Sequence, residues 1–186
     1  MMPEQQPPQR PRAELDARYS SALQPRPGAA DVTATEWADA QRQLETAEIF
    51  WASTVRPDGR LHVTPVIAAW DRGVLYFSTG PEEQKAKNLA HDGHCALTTG
   101  RNALGEGLDL VVEGIAERVS GPAELERVIA VHEAKYGEHI TSPEGTFYGI
   151  GDSFRSGSAI VFALAPATAY GFGRQDGVYT HTRWTF

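Results

Sequence analysis

The sequence predicts a mainly β (α+β) domain, a closed or partly closed barrel of antiparallel strands with a few peripheral helices. Three observations predict it. Strand-like runs recur between Ile49 and Phe186, and turn-forming residues separate several of them, as at Arg56-Pro57-Asp58-Gly59 and Asp71-Arg72-Gly73. The helical patterns do not alternate regularly with the strands, which argues against a doubly wound sheet. No internal repeat is present.

The elements follow from local chemistry. Residues 1–30 are rich in Pro, Gln and Arg and poor in large apolar groups, so they read as a flexible N-terminal arm ahead of a domain spanning 31–186. Thr33-Ala34-Thr35-Glu36 fits a capping box, with Trp37, Gln41 and Leu44 at helical spacing, and this helix ends near Ala47. Strands at Ile49–Val55 and Leu61–Trp70 flank the Pro57-Asp58-Gly59 turn, and Asp71-Arg72-Gly73 leads into Val74–Ser78, making a three-stranded meander. Gly80-Pro81-Glu82-Glu83 opens a short helix to about Ala90, with Pro at its first position and acids in its first turn. Strands follow at Cys95–Thr99 and Leu108–Ser120, then a helix from Gly121-Pro122. The segment Gly137–Gly157, dense in Gly, Ser and Pro, reads as a loop, a mobile lid carrying Tyr148, Phe154 and Arg155. Strands return at Ala159–Ala165, Ala167–Gly173 and Val178–Phe186.

Composition narrows the function classes. With 186 residues, 41% hydrophobic and 22% charged, the chain suits one soluble domain, and no run approaches the roughly 18 apolar residues of a membrane span. A net charge of −7 argues against nucleic acid as a partner. The lone Cys95 and the apolar-poor N-terminus point to the cytoplasm.

The candidate chemistry lies between Phe50 and Leu89. On the second strand His62, Thr64, Val66 and Ala68 share a face that mixes polar and apolar groups. Pro65 interrupts hydrogen bonding where a flat heterocycle could lie. The alternative is an edge strand with a solvated face. Lys85, Lys87 and Asn88 follow the third strand, and a phosphate there could bond Ser78, Thr79 and Lys85 together, although Lys-x-Lys also fits a plain solvated helix face. His91-Asp92-Gly93-His94-Cys95 gathers possible metal ligands, but a helix end and turn explain the run and no metal is expected. No catalytic dyad stands out. Trp51 and Trp70 suit the core or a dimer interface.

The succession VRPDGRLHVTPV, GVLYFST, KAKNL and DLVVEGIAERVS resembles the flavin-binding split β-barrel superfamily that includes pyridoxamine 5′-phosphate oxidase and the deazaflavin-dependent reductases. The resemblance extends over about Thr33 to Phe186. It implies FMN, or the 8-hydroxy-5-deazaflavin coenzyme, with the ring against His62, Thr64, Pro65 and Val66. The phosphate would lie at Phe77, Ser78, Thr79, Lys85 and Asn88. Thr99 and Gly100 would come from the partner of a homodimer, and Arg183 and Trp184 would close over the cofactor, with Trp184 beside the ring. The implied activity is hydride transfer to or from a small organic substrate, and the alternative is a non-catalytic flavin, deazaflavin or haem binder or sensor.

Two departures matter. Gln84, preceded by Glu83, stands where the vitamin oxidases commonly have Arg, and the tail His181–Phe186 lacks their Arg-Leu-x-Pro ending. Together they argue against a true pyridoxamine phosphate oxidase.

Overall fold

The computed structural model of the chain describes residues 10–16, 33–101, 103–175 and 178–186. In chain order the elements are β1 (Arg12–Leu15), α1 (Trp37–Thr46), β2 (Phe50–Val55), β3 (Leu61–Val66), β4 (Ala68–Asp71) and β5 (Val74–Thr79). Then come α2 (Gln84–His91), β6 (His94–Thr99), β7 (Gly107–Arg118), α3 (Pro122–Tyr136), α4 (Glu138–Thr141), α5 (Ile150–Ser156), β8 (Ile160–Gln175) and β9 (Val178–Thr185).

Turn chemistry sets the first two hairpins. Gly59 has φ +83° and donates its N–H to the Arg56 carbonyl at 2.8 Å, while Asp58 Oδ1 accepts the Arg60 N–H at 3.1 Å. This turn fixes the β2–β3 register, with Thr54 opposite His62 and Ala52 opposite Thr64. Arg72 and Gly73 both have positive φ, 49° and 87°, the twist that joins β4 to β5 tightly.

The sheet runs β1-β9-β8-β7-β6-β2-β3, and β5 pairs with both β4 and β8. One edge of β8 is shared: β5 takes Ile160–Leu164 and β9 takes Thr168–Gln175. The path β3-β2-β6-β7-β8-β5-β4 therefore begins and ends on strands joined only by Ile67, so the chain itself closes the barrel between β3 and β4. Inside lie Phe50, Leu75, Phe77, Leu97, Val112 and Leu164, with Leu44 of α1 covering one end. A second cluster, Tyr76, Val128, Ile129, Phe154 and Val161, packs α3 and α5 on the outside of β5 and β8.

The last turn of α3 pins the barrel joint. Tyr136 Oη accepts the Ala68 N–H at 3.0 Å and is 2.9 Å from both the Ala68 and Glu48 carbonyls. Lys135 Nζ donates to the carbonyls of Ala68 at 2.7 Å and Leu44 at 3.2 Å. Burial pushes the Lys135 ammonium down to about 8 and the Tyr136 phenol up to about 12.

Several expectations are corrected. Part of the supposed arm, Arg12–Leu15, is a strand on β9, while 1–9 and 17–32 lie outside the described residues. Thr33 does not cap α1: the helix starts at Trp37 after Glu36, and the Thr35 N–H is spent on Thr182 Oγ1 at 2.8 Å. The expected strand Leu61–Trp70 divides at Ile67, so β3 pairs with β2 and β4 with β5. Helix α2 begins at Gln84, not at Pro81. Gly137–Gly157 contains α4 and α5 rather than one loop, because Gly149 and Gly157, both left-handed, frame a helix that buries Phe154. The two strands expected at Ala159–Gly173 form one, β8, which carries Pro166 opposite Gly114 at a bulge. A Cβ on Gly114 would lie 2.3 Å from the Ala165 carbonyl oxygen, so only glycine fits there.

Among the described residues no helix is long and apolar enough to cross a membrane, and no group of three His, Cys, Asp or Glu side chains gathers as metal ligands.

Candidate functional site

Strand alternation turns His62, Thr64 and Val66 of β3 inward and leaves Leu61, Val63 and Pro65 outside. Across the hairpin, His62 faces Thr54 on β2, and Thr54 Oγ1 accepts from Asn88 Nδ2 of α2 at 2.9 Å. Gln84 Nε2 donates to Asn88 Oδ1 at 2.7 Å, so the fully buried Asn88 amide is held from two sides. These bonds seat α2 against the His62 end of the hairpin.

Lys85 is only 5% exposed, which sets aside the alternative of a plain solvated helix face for it. Its ammonium is bonded to Glu83 Oε2. Glu83 Oε1 accepts the Gly80 N–H at 2.8 Å, and the Thr79 hydroxyl donates to the Gly80 carbonyl at 3.3 Å. The Lys85 bond, then the Gly80 N–H, hold the Glu83 carboxyl below its usual range against its partial burial. One buried cation and one backbone N–H thus converge on an anionic group, donors of the kind that a phosphate ester needs.

His62 stands beside them. Its Nδ1 is buried with no hydrogen-bond partner, and burial, then the charges of Arg56 and Lys85, keep the ring below its ordinary value while Glu83 opposes them. The imidazole is therefore neutral near pH 7 and retains hydrogen-bonding capacity for a ligand.

The other expected residues fall in different places. Thr79 points inward, while strand alternation turns Ser78 to the opposite face of β5, so Ser78 cannot join Lys85 around one phosphate. Phe77 is in the core, stacked on Phe162 at 5.7 Å between centroids. Val66 also belongs to the core, and the Thr64 hydroxyl turns to the Pro65 carbonyl at 3.4 Å. Thr99 Oγ1 donates to the Ile49 carbonyl at 3.0 Å. Gly100 lies against Asp109, where a Cβ would meet Oδ1 at 2.0 Å, and Asp109 accepts from Arg174 Nη2 at 2.6 Å. Trp184 is fully buried, edge-on to Trp37 at 5.3 Å, so no ring from solvent reaches it, contrary to its expected place beside a cofactor. Arg183 lies on the opposite face, half-buried and 3.5 Å from Glu14.

The outer face of the sheet forms a second surface. Register aligns Pro65, Trp51, Thr98, Val111, Tyr170 and Arg183 in one row across β3, β2, β6, β7, β8 and β9. Trp51 is 47% exposed there, and Leu61, Val63 and Ile115 are exposed on the same face. Trp70, by contrast, is 8% exposed and packs in the core against Trp37, which removes it from any interface. Phe154 is likewise buried, and Arg155 is held by Glu126 at 2.8 Å, so neither is free to serve as a lid contact.

Thr54 and Glu83 were not singled out as site residues from the sequence. Counting back from the Pro57-Asp58-Gly59 turn places Thr54 opposite His62, and Glu83 lies two residues before Lys85, so both signals are present in the chain.

The profile of the family described as pyridoxamine 5′-phosphate oxidase matches residues 37–172. No curated protein matches the sequence. Among solved structures, a conserved hypothetical protein of Mycobacterium tuberculosis aligns with TM-score 0.64 and 20% identity over 78% of this chain and 88% of that one. An FAD-binding protein of Mesorhizobium loti aligns with TM-score 0.56 and 13% identity over 82% and 96%. A heme-binding protein of Mycobacterium smegmatis aligns with TM-score 0.60 and 17% identity over 81% of this chain and 59% of that one. At such identities the structural likenesses speak for a shared fold.

Proposed function

Because this chain belongs to the pyridoxamine 5′-phosphate oxidase family, we propose that it binds a flavin nucleotide, FMN or its 8-hydroxy-5-deazaflavin analogue, and passes a hydride between it and a small organic substrate. The observation that carries this reading is the buried Lys85, which with the Gly80 N–H forms an anion cradle beside the unpaired Nδ1 of His62. A bound flavin supplies the hydride chemistry. The chain's residues anchor its phosphate at Lys85 and offer His62 to the ligand. The FAD-binding description of the Mesorhizobium loti neighbour supports a flavin.

The working unit is a homodimer in the cytoplasm, formed through the outer sheet face around Trp51, Leu61, Val63 and Ile115, since such an apolar patch calls for a partner. A second reading, haem binding without turnover, is favoured by the neutral imidazole of His62 and by the heme-binding description of the Mycobacterium smegmatis neighbour. Absorbance titration with FMN, the deazaflavin and haemin separates the readings. Reoxidation of the reduced flavin nucleotide only in the presence of an organic acceptor supports hydride transfer; saturable haemin binding with no flavin binding favours the second.

A further inference from the structure

A carboxylate of the chain itself occupies the anion cradle. Glu83 takes the Gly80 N–H on one oxygen and the Lys85 ammonium on the other. The two partners are unequal in burial: the Lys85 side chain is 7% exposed and the Glu83 side chain 54%. Lys85 is therefore fixed, while the Glu83 carboxylate can rotate into water and be hydrated there at little cost. As it stands the pair is neutral, and an incoming phosphate meets a cation whose charge is already matched.

We propose, on the flavin-nucleotide reading of this site, that Glu83 is a resident competitor for the phosphate, a specificity-determining residue that weakens binding of phosphorylated ligands relative to uncharged ones. A phosphate displaces the carboxylate from Lys85 and Gly80, and Glu83 swings outward. Affinity then depends on the difference between two anions in one cradle.

Glu83→Gln tests this, because the amide retains an oxygen for the Gly80 N–H and removes the charge. The side chain of Glu83 makes no capping bond to α2, so the helix does not depend on it. Inorganic phosphate is titrated into the full chain, followed by the Gly80 amide resonance, and FMN and riboflavin are titrated separately. Phosphate and FMN affinities are expected to rise roughly tenfold or more in Glu83→Gln, with riboflavin unchanged, and adding Lys85→Met should abolish the gain. Phosphate binding no tighter than in the unaltered chain overturns the proposal, as does an equal gain by riboflavin. A phosphate gain in Glu83→Gln with no binding of either flavin leaves Glu83 as the competitor and refutes the flavin reading alone.

Discussion

Asn88 Nδ2 donates to Thr54 Oγ1 at 2.9 Å inside the protein, and this bond ties the helix that carries Lys85 to the strand that pairs with His62. Both side chains are essentially inaccessible, so truncating one leaves the atom of the other that made this bond without its buried partner. Asn88→Ala should cost about 1–3 kcal/mol of stability, measured by urea unfolding. The double variant with Thr54→Val should lose less than the sum of the single losses. Additive losses would mean that the bond does not couple the two elements.

Acid should act on His132 before most other groups. The ring is fully buried, Nδ1 bonds the Val128 carbonyl at 2.9 Å, and Nε2 has no partner. Burial, with a further push from Lys135, lowers it to about 4 from its usual 6.5. Between those values the unfolded chain binds the proton and the folded chain does not, so stability rises with pH and is lost as pH falls from about 6.5 towards 4. The contribution amounts to about 3 kcal/mol. Unfolding curves across this range should show a steeper acid loss in the unaltered chain than in His132→Leu. Parallel losses would assign the effect to other groups.

The two tryptophans of the early strands should behave differently. Trp51→Glu places a charge on the exposed outer face and should shift the protein from dimer to monomer in light scattering, with the fold retained. Trp70→Ala should instead lower stability by about 3–5 kcal/mol, since that ring is in the core. A monomer formed by the unaltered chain would remove the outer face from the account.

Near the C-terminus, Trp184→Ala should cost about 3–5 kcal/mol by emptying the space between Trp37 and Gly171. Arg183→Ala should change stability by less than about 1 kcal/mol, because its pairing with Glu14 is solvent-exposed. Thermal unfolding of the two variants checks both values.

The barrel was legible where local chemistry decides. The Pro57-Asp58-Gly59 and Arg72-Gly73 turns prescribe their hairpins, and Pro122 opens α3 as expected. It was illegible where distant contacts decide. Nothing local shows that Ile67 ends one pairing and begins another, because β4 is drawn to β5 only when the barrel closes. Pro166 looked like a break because its place beside Gly114 at a bulge depends on β7. For the site, Lys85 emerged from order and spacing, but its burial comes from the seating of α2 through Asn88 and Thr54. Adjacent residues of a strand face opposite ways, so Arg183 and Trp184 cannot both close over one cofactor; which of them turns inward depends on Trp37, far away in sequence.

The central claim is that Lys85 anchors the phosphate of a flavin nucleotide. Fluorescence titration of FMN and riboflavin against the unaltered chain and Lys85→Met tests it most directly. The account predicts saturable FMN binding, weakened roughly tenfold or more in Lys85→Met, with riboflavin affinity equal in the two proteins. FMN that fails to bind, or binds both proteins equally well, would contradict it.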